Sequence, residues 1–568
     1  MYLRTTKRRN ADGSVVRYYQ LAENVWDAQR GCAVAKVIYN FGRADGLDLG
    51  KLRRLAASIL RVCGEEQARV EGAASVPDDV KVRDAWPFGG VYVLEQLWRE
   101  LGIDAVLARC ADAKHKRVPV ERALFAMVAN RALEPYSKLY CWEQWLRAEV
   151  FLPSANELEL QHLYRAMDFL EDHKEELEKE VYFRMADLMN ADVDVIFYDT
   201  TSLHFEIDDE DEAAMGRSGR AYPALRKRGY SKNGRGDAPQ IVVGLAVTRD
   251  GLPVRSWVFP GRTNDITTVE KVKEDLRGWR LGRCILVGDA GMNSEDNRRA
   301  LALGGGKYIL GAKMRAGDEV TTDVLARAGR YHQVDDNLRV KEVFVGEGER
   351  RRRYVIAHNP LEEERQRAHR EKVLAELEAE LATLEQPGDG KHSKRAMALI
   401  VSGRYGRYLR ETAGGKLRID RTAVEEAARY DGKWVITSND DTLTAVDLAL
   451  GYKQLMRVEQ CWRQLKGLRM RPVFHYRPWR IQAHVTISVL ALLLERIVEI
   501  RAKDTWRNVA ARLDSIKVVE YDLGEARVQQ TTELKPDVAK LLGQLRVAPP
   551  PRIHSITPLE ASSVPAES

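Results

Sequence analysis

Three acidic residues of the chain have sequence neighbours that suit a metal site. Asp199 and Asp289 each end a run of apolar, β-branched or aromatic residues that predicts a buried strand. Carboxylates at the carboxyl ends of strands lie where open α/β sheets place their ligands. Small or hydroxyl residues follow both, Thr200-Thr201-Ser202 and Ala290-Gly291, and leave room for a metal ion or a phosphate. A strand-end aspartate can equally cap the next turn, so neither residue decides alone.

Glu459 is the third acidic residue, and it lies on a predicted helix from Ala445 to Lys466. At about 100° per residue, four side chains of this helix fall on one stripe about 60° wide: Tyr452, Glu459, Arg463 and Lys466. Such a stripe can be an ordinary ion-pair ladder. The cations outnumber the carboxylate, however, and Arg469 and Arg471 follow. An excess of cations around one carboxylate suits a site where metal and phosphate meet.

Carboxylates from separate elements are what phosphodiester chemistry with metal ions requires. Two divalent ions about 3.5–4 Å apart can activate the attacking oxygen and stabilise the leaving one. Magnesium prefers carboxylate oxygens and keeps several waters. The 11 histidines form no cluster in the sequence. We therefore expect Mg²⁺ as the cofactor, with Mn²⁺ as a substitute.

Composition excludes several classes of protein. The 568 residues are 44% hydrophobic and 31% charged, a balance that excludes disordered and collagen-like chains. No uninterrupted apolar run approaches the ~18 residues of a membrane span. The first residues, Met1 to Arg9, do not resemble a secretory signal. The six cysteines contain no C-x-x-C pair, so neither a zinc site nor a disulfide framework is predicted, and we expect a cytoplasmic protein.

The net charge of +6 is concentrated in blocks. Lys and Arg outnumber Asp and Glu by 11 to 5 in residues 1–60, by 10 to 4 in 391–430 and by 7 to 1 in 457–480. The third block also contains aromatic residues: Trp462, Phe474, Tyr476 and Trp479. Basic blocks indicate a polyanionic partner, most often nucleic acid, although the first two blocks could equally be solvated helix faces.

The elements that must position the acidic residues follow from the apolar patterns. Residues 1–45 predict a small basic β-unit with a turn at 11–13, residues 50–73 a helix, and residues 88–190 a helical region. From 194 onwards the order is strand, hairpin, helix, strand, helix, strand, with the hairpin turn at Arg249-Asp250-Gly251. The pattern Thr267-x-x-Glu270 predicts a capping box that opens the first of these helices.

The pattern changes again after residue 315. Strands are predicted at 338–358, 397–409 and 433–437, with a charged helix at 361–385 between the first two. Two helices, from Ala445 to Lys466 and from Ile481 to Ala502, follow. The tail from about 511 ends in a segment rich in Ser, Pro and Ala, for which we expect disorder.

An ordered series of motifs connects these elements to a known family. Its first members are Tyr198-Asp199-Thr200-Thr201-Ser202, Gly229-Tyr230-Ser231-Lys232, Pro260-Gly261-Arg262-Thr263-Asn264-Asp265, Val287-Gly288-Asp289-Ala290-Gly291-Met292 and Thr437-Ser438-Asn439-Asp440. A Tyr-x2-Arg-x3-Glu-x6-Lys spacing then places Tyr452, Glu459 and Lys466, with Leu455 where Arg is expected and Arg457 two residues on. Arg471-Pro472-Val473-Phe474-His475 and His484 complete the series. It resembles bacterial insertion-sequence transposases of the DDE type, in the branch with a β-rich insertion before the catalytic Glu.

The resemblance implies a fold and a site. The expected fold is α/β, a ribonuclease H-like catalytic core interrupted by a mixed, β-rich insertion and preceded by the basic β-unit and the helical region. Asp199, Asp289 and Glu459 would be the catalytic, metal-holding carboxylates. DNA would be bound by five side chains: Tyr452, Arg457, Arg463, Lys466 and Arg471. Asp265 is interpreted as a turn or helix-start residue rather than a ligand.

The resemblance also implies an activity and a domain order. Water would first hydrolyse a strand at the end of the element, and the freed 3′-hydroxyl would then attack target DNA. The expected domains are a β-unit with its helix at 1–85, a helical DNA-binding region at 86–190, a core at 191–315 and 431–510, an insertion at 316–430 and a tail at 511–568. The partners would be terminal inverted repeats, target DNA and a second copy of the chain in a homodimer on DNA, in the bacterial cytoplasm at the nucleoid and not at a membrane.

Two other functions compete with a transposase. A decayed or repurposed copy would bind DNA without cutting it, and the acidic trio would then be incidental. A related metal-dependent nuclease on the same core would cut DNA without joining strands. Metal-independent binding without cleavage would indicate the first, and a strand-transfer assay separates the second.

Overall fold

The computed structural model describes residues 2–9, 15–27, 32–43, 80–112, 119–189, 194–216, 219–232, 234–279, 281, 284–315, 319–384 and 393–559. The chain forms two compact units, Met1–Val80 and Lys81–Ser568. The predicted turn at 11–13, the predicted helix at 50–73 and the last residues of the tail, 560–568, lie outside the described residues.

The first unit contains a three-stranded antiparallel sheet. Its order is β1 (Tyr2–Arg9), β2 (Val15–Asp27) and β3 (Cys32–Arg43). The register between β2 and β3 shifts at two places, beside Gln20 and Ala22. The predicted strands of the basic β-unit are therefore confirmed.

The second unit begins with a strand, β4 (Val80–Pro87), and a helical region. The helices are α1 (Gly89–Glu100), α2 (Ile103–Asp112), α3 (Val120–Leu133), α4 (Lys138–Tyr140) and α5 (Leu160–Leu188), with a π-helical segment Cys141–Glu149 after α4. Almost every residue of α3 is buried, including Asn130 and Arg131. The helices predicted for 88–190 are confirmed, and α3 is a core helix of this region.

A nine-stranded mixed sheet forms the centre of the second unit. The strands of its first half are β5 (Val195–His204), β8 (Gln240–Val247), β9 (Pro253–Pro260), β10 (Ile285–Gly288) and β11 (Lys307–Ala312). Two short strands, β6 (Ala214–Met215) and β7 (Ala221–Tyr222), pair with each other outside it. Two helices alternate with the strands, α6 (Val269–Gly278) and α7 (Glu295–Ala302). The predicted order of strand, hairpin, helix, strand, helix and strand is confirmed.

The predicted capping box at the start of α6 is wrong. The N-cap residue is Thr268, whose side chain makes no capping hydrogen bond. The Thr267 hydroxyl instead donates to the Asn264 carbonyl at 2.8 Å, because a 3₁₀ turn, Asp265–Thr267, precedes the helix.

The second half of the sheet is built from the segment after 315. Its strands are β12 (His332–Asp335), β13 (Leu338–Val345), β14 (Arg352–His358) and β17 (Lys433–Ser438), and the full order is β12-β13-β14-β17-β11-β10-β5-β8-β9. β17 lies between β14 and β11 and is antiparallel to both. All four of these strands, which follow residue 315, therefore continue the central sheet.

Between β14 and β17 lie three helices and a small hairpin. They are α8 (Pro360–Ala382), α9 (Lys394–Val401), β15 (Leu409–Glu411), β16 (Leu417–Ile419) and α10 (Arg421–Ala428). The strand predicted to begin at 397 is wrong, because the Ser393 hydroxyl accepts from the Ala396 backbone N–H and opens α9. The charged helix predicted at 361–385 is confirmed.

The predicted helix from Ala445 to Lys466 is two helices. α11 (Ala445–Lys453) ends at a turn through Gln454 and Leu455, and α12 (Met456–Gly467) begins after it. The prediction that Tyr452, Glu459, Arg463 and Lys466 share one continuous helical stripe is therefore wrong, because Tyr452 lies on α11. The other three remain on α12.

The next helix, α13 (Pro478–Ala502), is the central helix of the second unit. By length and composition it could cross a membrane, but 89% of the relevant window is buried inside the protein. Its neighbours are α3, α5 and β9. A mostly buried apolar helix is typical of the core of a globular unit.

The segment predicted to be a tail is structured up to residue 559. It contains α14 (Trp506–Leu513), β18 (Lys517–Leu523), β19 (Ala526–Thr531), α15 (Pro536–Leu545) and β20 (Ile553–Pro558). The strands form a four-stranded sheet with β4, in the order β20-β19-β18-β4. Arg83 of β4 donates to the Asp522 carboxylate at 2.7 Å. The two ends of the second unit therefore meet in one sheet.

Candidate active site

The sequence predicts Asp199 at the end of a strand, but the residue lies within β5. β5 pairs in parallel with β10 only from Val195 to Phe197, but its antiparallel pairing with β8 continues to His204. The strand therefore continues for five residues beyond Asp199. Because Asp199 lies two residues past the last parallel pair, its side chain still stands beside the carboxyl end of β10.

Asp289 directly follows β10, as predicted. Its side chain accepts a hydrogen bond from the backbone N–H of Met292 at 3.2 Å and so caps the short turn Ala290–Met292. Asp289 can both cap this turn and bind a metal ion, because a carboxylate has more acceptor sites than this one bond uses. The parallel pairing of β5 and β10 brings Asp199 and Asp289 to the same edge of the sheet.

Lys232 and Asp265 complete this group, and the sequence predicted neither as a residue of the site. The Lys232 Nζ lies 2.9 Å from Asp265 Oδ2 and 3.7 Å from Asp199 Oδ1. The hydroxyl of Thr200, the residue after Asp199, donates to Asp265 Oδ1. A Cβ added to Gly291 would lie 3.2 Å from Asp289 Oδ1 and 3.7 Å from Asp265 Oδ2. We call Asp199, Asp265, Asp289 and Lys232 the carboxylate pocket.

The signals that could have identified these two residues were present in the sequence. Lys232 and Asp265 are the last residues of two of the motifs that carry the family resemblance. Asp265 does begin a 3₁₀ turn, as predicted, but its carboxylate faces the pocket as well. The position of Asp265 in a turn could not show where its carboxylate faces. The turn joins β9 to α6, and the direction of the turn depends on the sheet.

The pKa values of the pocket reflect three carboxylates against one lysine. Burial raises the pKa of Asp199 to about 6, with smaller contributions of the same sign from Asp289 and Asp265, although Lys232 opposes the shift. Burial also raises the pKa of Asp289. Burial would lower the pKa of Lys232, but the surrounding carboxylates outweigh it and raise that pKa. The pocket therefore has excess negative charge that a cation would stabilise.

Tyr452 connects this pocket to Glu459. A Cβ added to Gly311 in β11 would meet the Tyr452 hydroxyl and lie 2.9 Å from the backbone nitrogen of Ala290, next to Asp289. Burial raises the pKa of Tyr452 to about 12, and the charges of Asp289, Glu459 and Asp199 add to the shift. Glu459 lies exposed in the first turn of α12, which packs against β5. All three predicted carboxylates thus contribute to the raised pKa of this one hydroxyl.

The predicted DNA-binding cations have different surroundings. The side chains of Arg463 and Lys466 are exposed on α12 and make no hydrogen bond or ion pair with any described residue. Arg457 makes only a long hydrogen bond of 3.4 Å to Gln460. Arg471 lies 3.0 Å from His204 Nδ1 at the end of β5. Three of the four cations are therefore available to a partner, and the fourth is held beside the strand that carries Asp199.

A separate group of possible metal ligands lies in the helical region. One ligand atom each from Cys110, His173 and Glu176 lies within 4.8 Å of the others. The Glu176 carboxylate also accepts from Arg109 at 2.9 Å, and this ion pair lowers the pKa of Glu176. This carboxylate is thus already neutralised by a guanidinium, which distinguishes it from the carboxylate pocket.

Comparisons with known proteins agree with the motif series. Residues 195–494, from the start of β5 into α13, match the family model of the transposase DDE domain. Residues 3–71 match the model of the N-terminal domain of IS1634 family transposases. The first match covers more than half of the chain and includes Asp199, Asp289 and Glu459.

The comparisons with solved structures and with curated proteins do not establish the family. A cryo-EM structure of the piggyBac transposase synaptic complex with hairpin DNA is similar at 10% sequence identity and a TM-score of 0.34, over 75% of this chain and 79% of that chain. The comparison with curated proteins found no match. The family model carries the conclusion: the chain belongs to the transposase DDE domain family and is a DNA transposase, a metal-dependent enzyme of DNA cleavage and strand transfer.

Proposed function

We propose that Asp199, Asp289 and Glu459 are the catalytic carboxylates of this transposase and that they hold Mg²⁺, with Mn²⁺ as a substitute. The observation that carries the proposal is geometric: Lys232 Nζ lies 3.7 Å from Asp199 Oδ1, the parallel pairing of β5 with β10 brings Asp289 to the same edge of the sheet, and α12, which carries Glu459, packs against β5. The three carboxylates come from β5, the turn after β10 and the first turn of α12. Elements 90 and 170 residues apart along the chain thus supply acidic groups to one neighbourhood.

The residues of the pocket fit a hard divalent cation. Every candidate ligand is a carboxylate oxygen, the type that Mg²⁺ prefers. Lys232 already places a positive charge between Asp199 and Asp265, which is the position that a cation would occupy electrostatically. A bound divalent ion lowers the pKa of water and stabilises the oxygens of an in-line displacement at phosphorus.

The chain itself contributes positioning and charge. Arg463 and Lys466 project from the helix that carries Glu459, so they would hold the DNA phosphates beside the cut. Tyr452 would stay protonated at neutral pH, because the ordinary pKa of tyrosine, about 10, is already well above 7 and burial raises it further, and its hydroxyl can donate a hydrogen bond to a phosphate oxygen. Arg457 and Arg471 would bind the backbone further along the strand.

The proposed core is of the ribonuclease H type. The support is the arrangement of a parallel pair, β5 and β10, with β8 and β9 antiparallel on one side and β11 on the other. In this proposal the segment 316–430 is the insertion, and its strands β12 to β14 extend the sheet through β17. Glu459 follows β17 by 21 residues, after the chain has returned to the core.

The proposed DNA partners are the terminal inverted repeats of the element and a target duplex. The N-terminal region at 1–85, with its described β-unit, and the helical region at 86–190 would recognise the repeats. Because two ends must be cut and joined together, we propose a homodimer on DNA at the bacterial nucleoid. Light scattering with and without DNA of the element's end measures this directly, and a complex with one chain would contradict it.

The activity test uses DNA that carries an end of the element, with Mg²⁺ and a target plasmid. The wild type should cut at the end and join the freed 3′-hydroxyl to the target. Asp199→Ala should do neither while it still binds the DNA. Equal cleavage by Asp199→Ala would overturn the assignment of the carboxylates. Cleavage without joining by the wild type would indicate a nuclease instead.

A further inference from the structure

A second pocket lies at the far end of α12 from Glu459. It has a volume of about 620 Å³ and is formed by the segment around α4, the segment that follows α12 and part of α13. Its principal residues are Arg131, Tyr136, Lys138, Arg469, Phe474 and His475. We call these the aromatic–cationic pocket. The volume is in the range of ligand-binding pockets.

The cations of this pocket are compensated by dipoles and not by carboxylates. Among its described lining residues three are Lys or Arg, and none is Asp or Glu. Arg131 is buried and donates to the carbonyls of Leu468 and Arg469 at 3.1 and 2.9 Å. Since carbonyl dipoles only partly replace a counter-ion, its positive charge remains largely uncompensated.

Lys138 is the buried amine among the lining residues of the pocket. The residue is only 5% exposed, and its Nζ lies 3.0 Å from His484 Nδ1. His484 Nε2 lies 3.1 Å from the Met470 carbonyl, so Nδ1 is the acceptor for Lys138. Burial and the charge of Arg131 lower the pKa of Lys138 well below its usual value. Burial therefore favours the neutral amine of Lys138, and Arg131 and Arg469 are the cations of the pocket.

The nearby carboxylates have other roles. Glu149 accepts a hydrogen bond from the Tyr140 hydroxyl at 2.7 Å and does not line the pocket. Glu134 does not line the pocket either: burial and the charge of Glu149 raise its pKa, and the charge of Arg469 opposes the shift, so this carboxylate offsets Arg469 only in part. The wall that a ligand would meet is thus cationic and aromatic.

Exposed aromatic rings stand beside these cations. Phe474 is 73% exposed, and Tyr136 is also exposed. The guanidinium of Arg469 lies 4.6 Å from the centre of the Tyr136 ring, and the Tyr136 and Tyr140 rings are 4.2 Å apart, so Tyr136 holds Arg469 in place and Phe474 is the ring left open for a base. Rings that bases can stack on, combined with cations that follow the backbone, are how proteins bind unpaired nucleic acid strands.

The pocket is continuous with the helix that carries Glu459. Arg469 is two residues past the end of α12, and Arg131 binds the carbonyls of Leu468 and Arg469. Glu459 and Lys466 are separated by seven residues, about 10 Å along a helix. A strand held at Lys466 can therefore reach Arg469 without leaving the protein surface.

We propose that the aromatic–cationic pocket binds one unpaired nucleotide of a DNA strand, with its base against Phe474 and its phosphate towards Arg469. The proposal rests on the proposed action of the chain on DNA ends, but it does not depend on which carboxylates hold the metal. It gives the motif Arg471-Pro472-Val473-Phe474-His475 a role in holding DNA.

The test measures binding of fluorescein-labelled octathymidylate to the full chain by anisotropy, in EDTA. Phe474→Ala should weaken binding on the order of 10-fold, because it removes a stacking ring. Tyr476→Ala is the matched control, since Tyr476 is two residues on, is 63% exposed and does not line the pocket. It should change binding by less than about twofold. Both rings are exposed, so both variants should fold.

An abasic octamer of the same charge separates base stacking from phosphate binding. The wild type should bind it on the order of 10-fold more weakly than octathymidylate, and Phe474→Ala should bind the two alike. Arg469→Gln should weaken both. Equal binding of the two octamers by the wild type, or an equal loss in Tyr476→Ala, overturns the proposal. Because EDTA prevents cleavage, an incorrect assignment of the metal ligands leaves this result unaffected.

Discussion

The carboxylate pocket and the aromatic–cationic pocket have opposite charge imbalances at the two ends of one helix, α12. In the first, three aspartates surround a single lysine, and the pKa values of Asp199 and Asp289 are raised. In the second, the cations Arg131 and Arg469 have no carboxylate among the described lining residues. The protein alone neutralises neither excess, and ligands of opposite sign would stabilise each pocket.

The sign of its excess charge determines what each pocket can bind. Carboxylates that repel one another favour a compact divalent cation. Separated cations with exposed rings favour an extended anion that also carries flat apolar groups. A DNA strand with bound metal ions supplies both, so one substrate complex can relieve both imbalances.

The largest effect should come from removing a carboxylate of the first pocket. Asp289→Asn should lower the rate of end cleavage at least about 1,000-fold, because it removes a charged metal ligand. A single-turnover cleavage assay measures this. Asp296→Asn on α7 is the control, since that side chain is 95% exposed, and it should cut like the wild type. If Asp289→Asn retains a tenth of the wild-type rate, the carboxylate pocket is not the catalytic site.

The cost of the negative excess should appear in the pH dependence of stability. The pKa of Asp199 is about 6 in the folded protein and about 3.9 when unfolded, so folding favours its protonated form. This contribution is present at low pH and is lost as the pH rises from about 4 to about 6. Asp199→Asn mimics the protonated form. Without metal it should therefore be more stable than the wild type at pH 7.5, by up to about 3 kcal/mol.

Urea unfolding at several pH values checks this expectation. The gain from Asp199→Asn should shrink as the pH is lowered towards 4, where the wild-type carboxyl is protonated in both states. A gain that is the same at every pH would mean that the carboxylate is not the cause. Asp296→Asn should show no such trend.

Lys232 should compete with the metal ion. In Lys232→Met the carboxylates lose their internal cation, so the affinity for Mn²⁺ should rise on the order of 10-fold, measured by calorimetry without DNA. Lys227→Met is the matched control, because Lys227 is paired with Glu210 at 3.1 Å in the same segment. Weaker Mn²⁺ binding in Lys232→Met would show that the lysine organises the ligands instead of competing for them.

The smallest effect should come from an exposed cation between the two pockets. Arg463→Ala should weaken DNA binding several-fold for all sequences alike and reduce the slope of log K against log salt by about one. Arg507→Ala on α14 is also the loss of an exposed arginine and should leave the slope unchanged. An unchanged slope in Arg463→Ala would place the DNA elsewhere.

The sequence predicted the strand order and two members of the carboxylate pocket because those features are local. The apolar runs before Asp199 and Asp289 are short and β-branched, and parallel strands bring their ends together. Asp265 and Lys232 belong to turns far from both strands in sequence. Their approach to Asp199 depends on how the β8–β9 hairpin packs, and no local pattern encodes that direction.

The break between α11 and α12 was not predictable for a related reason. No Gly or Pro stands at Gln454 or Leu455, so the helical pattern continues through them. The chain turns there, and the Leu455 side chain is buried in the core while Tyr452 reaches β11. Tertiary packing therefore overrides a strong local preference.

The position of β17 has a consequence for how the chain folds during synthesis. β17 fills the place between β11 and β14, although 120 residues separate its first residue from the end of β11. At the usual pace of translation those residues take on the order of ten seconds, during which β11 presents an unpaired edge, and β14 does so as well once it has been made. Glu459 is made later still. A nascent chain therefore has neither a closed sheet nor a complete set of carboxylates, and cutting activity must wait until the ribosome has passed the last of them.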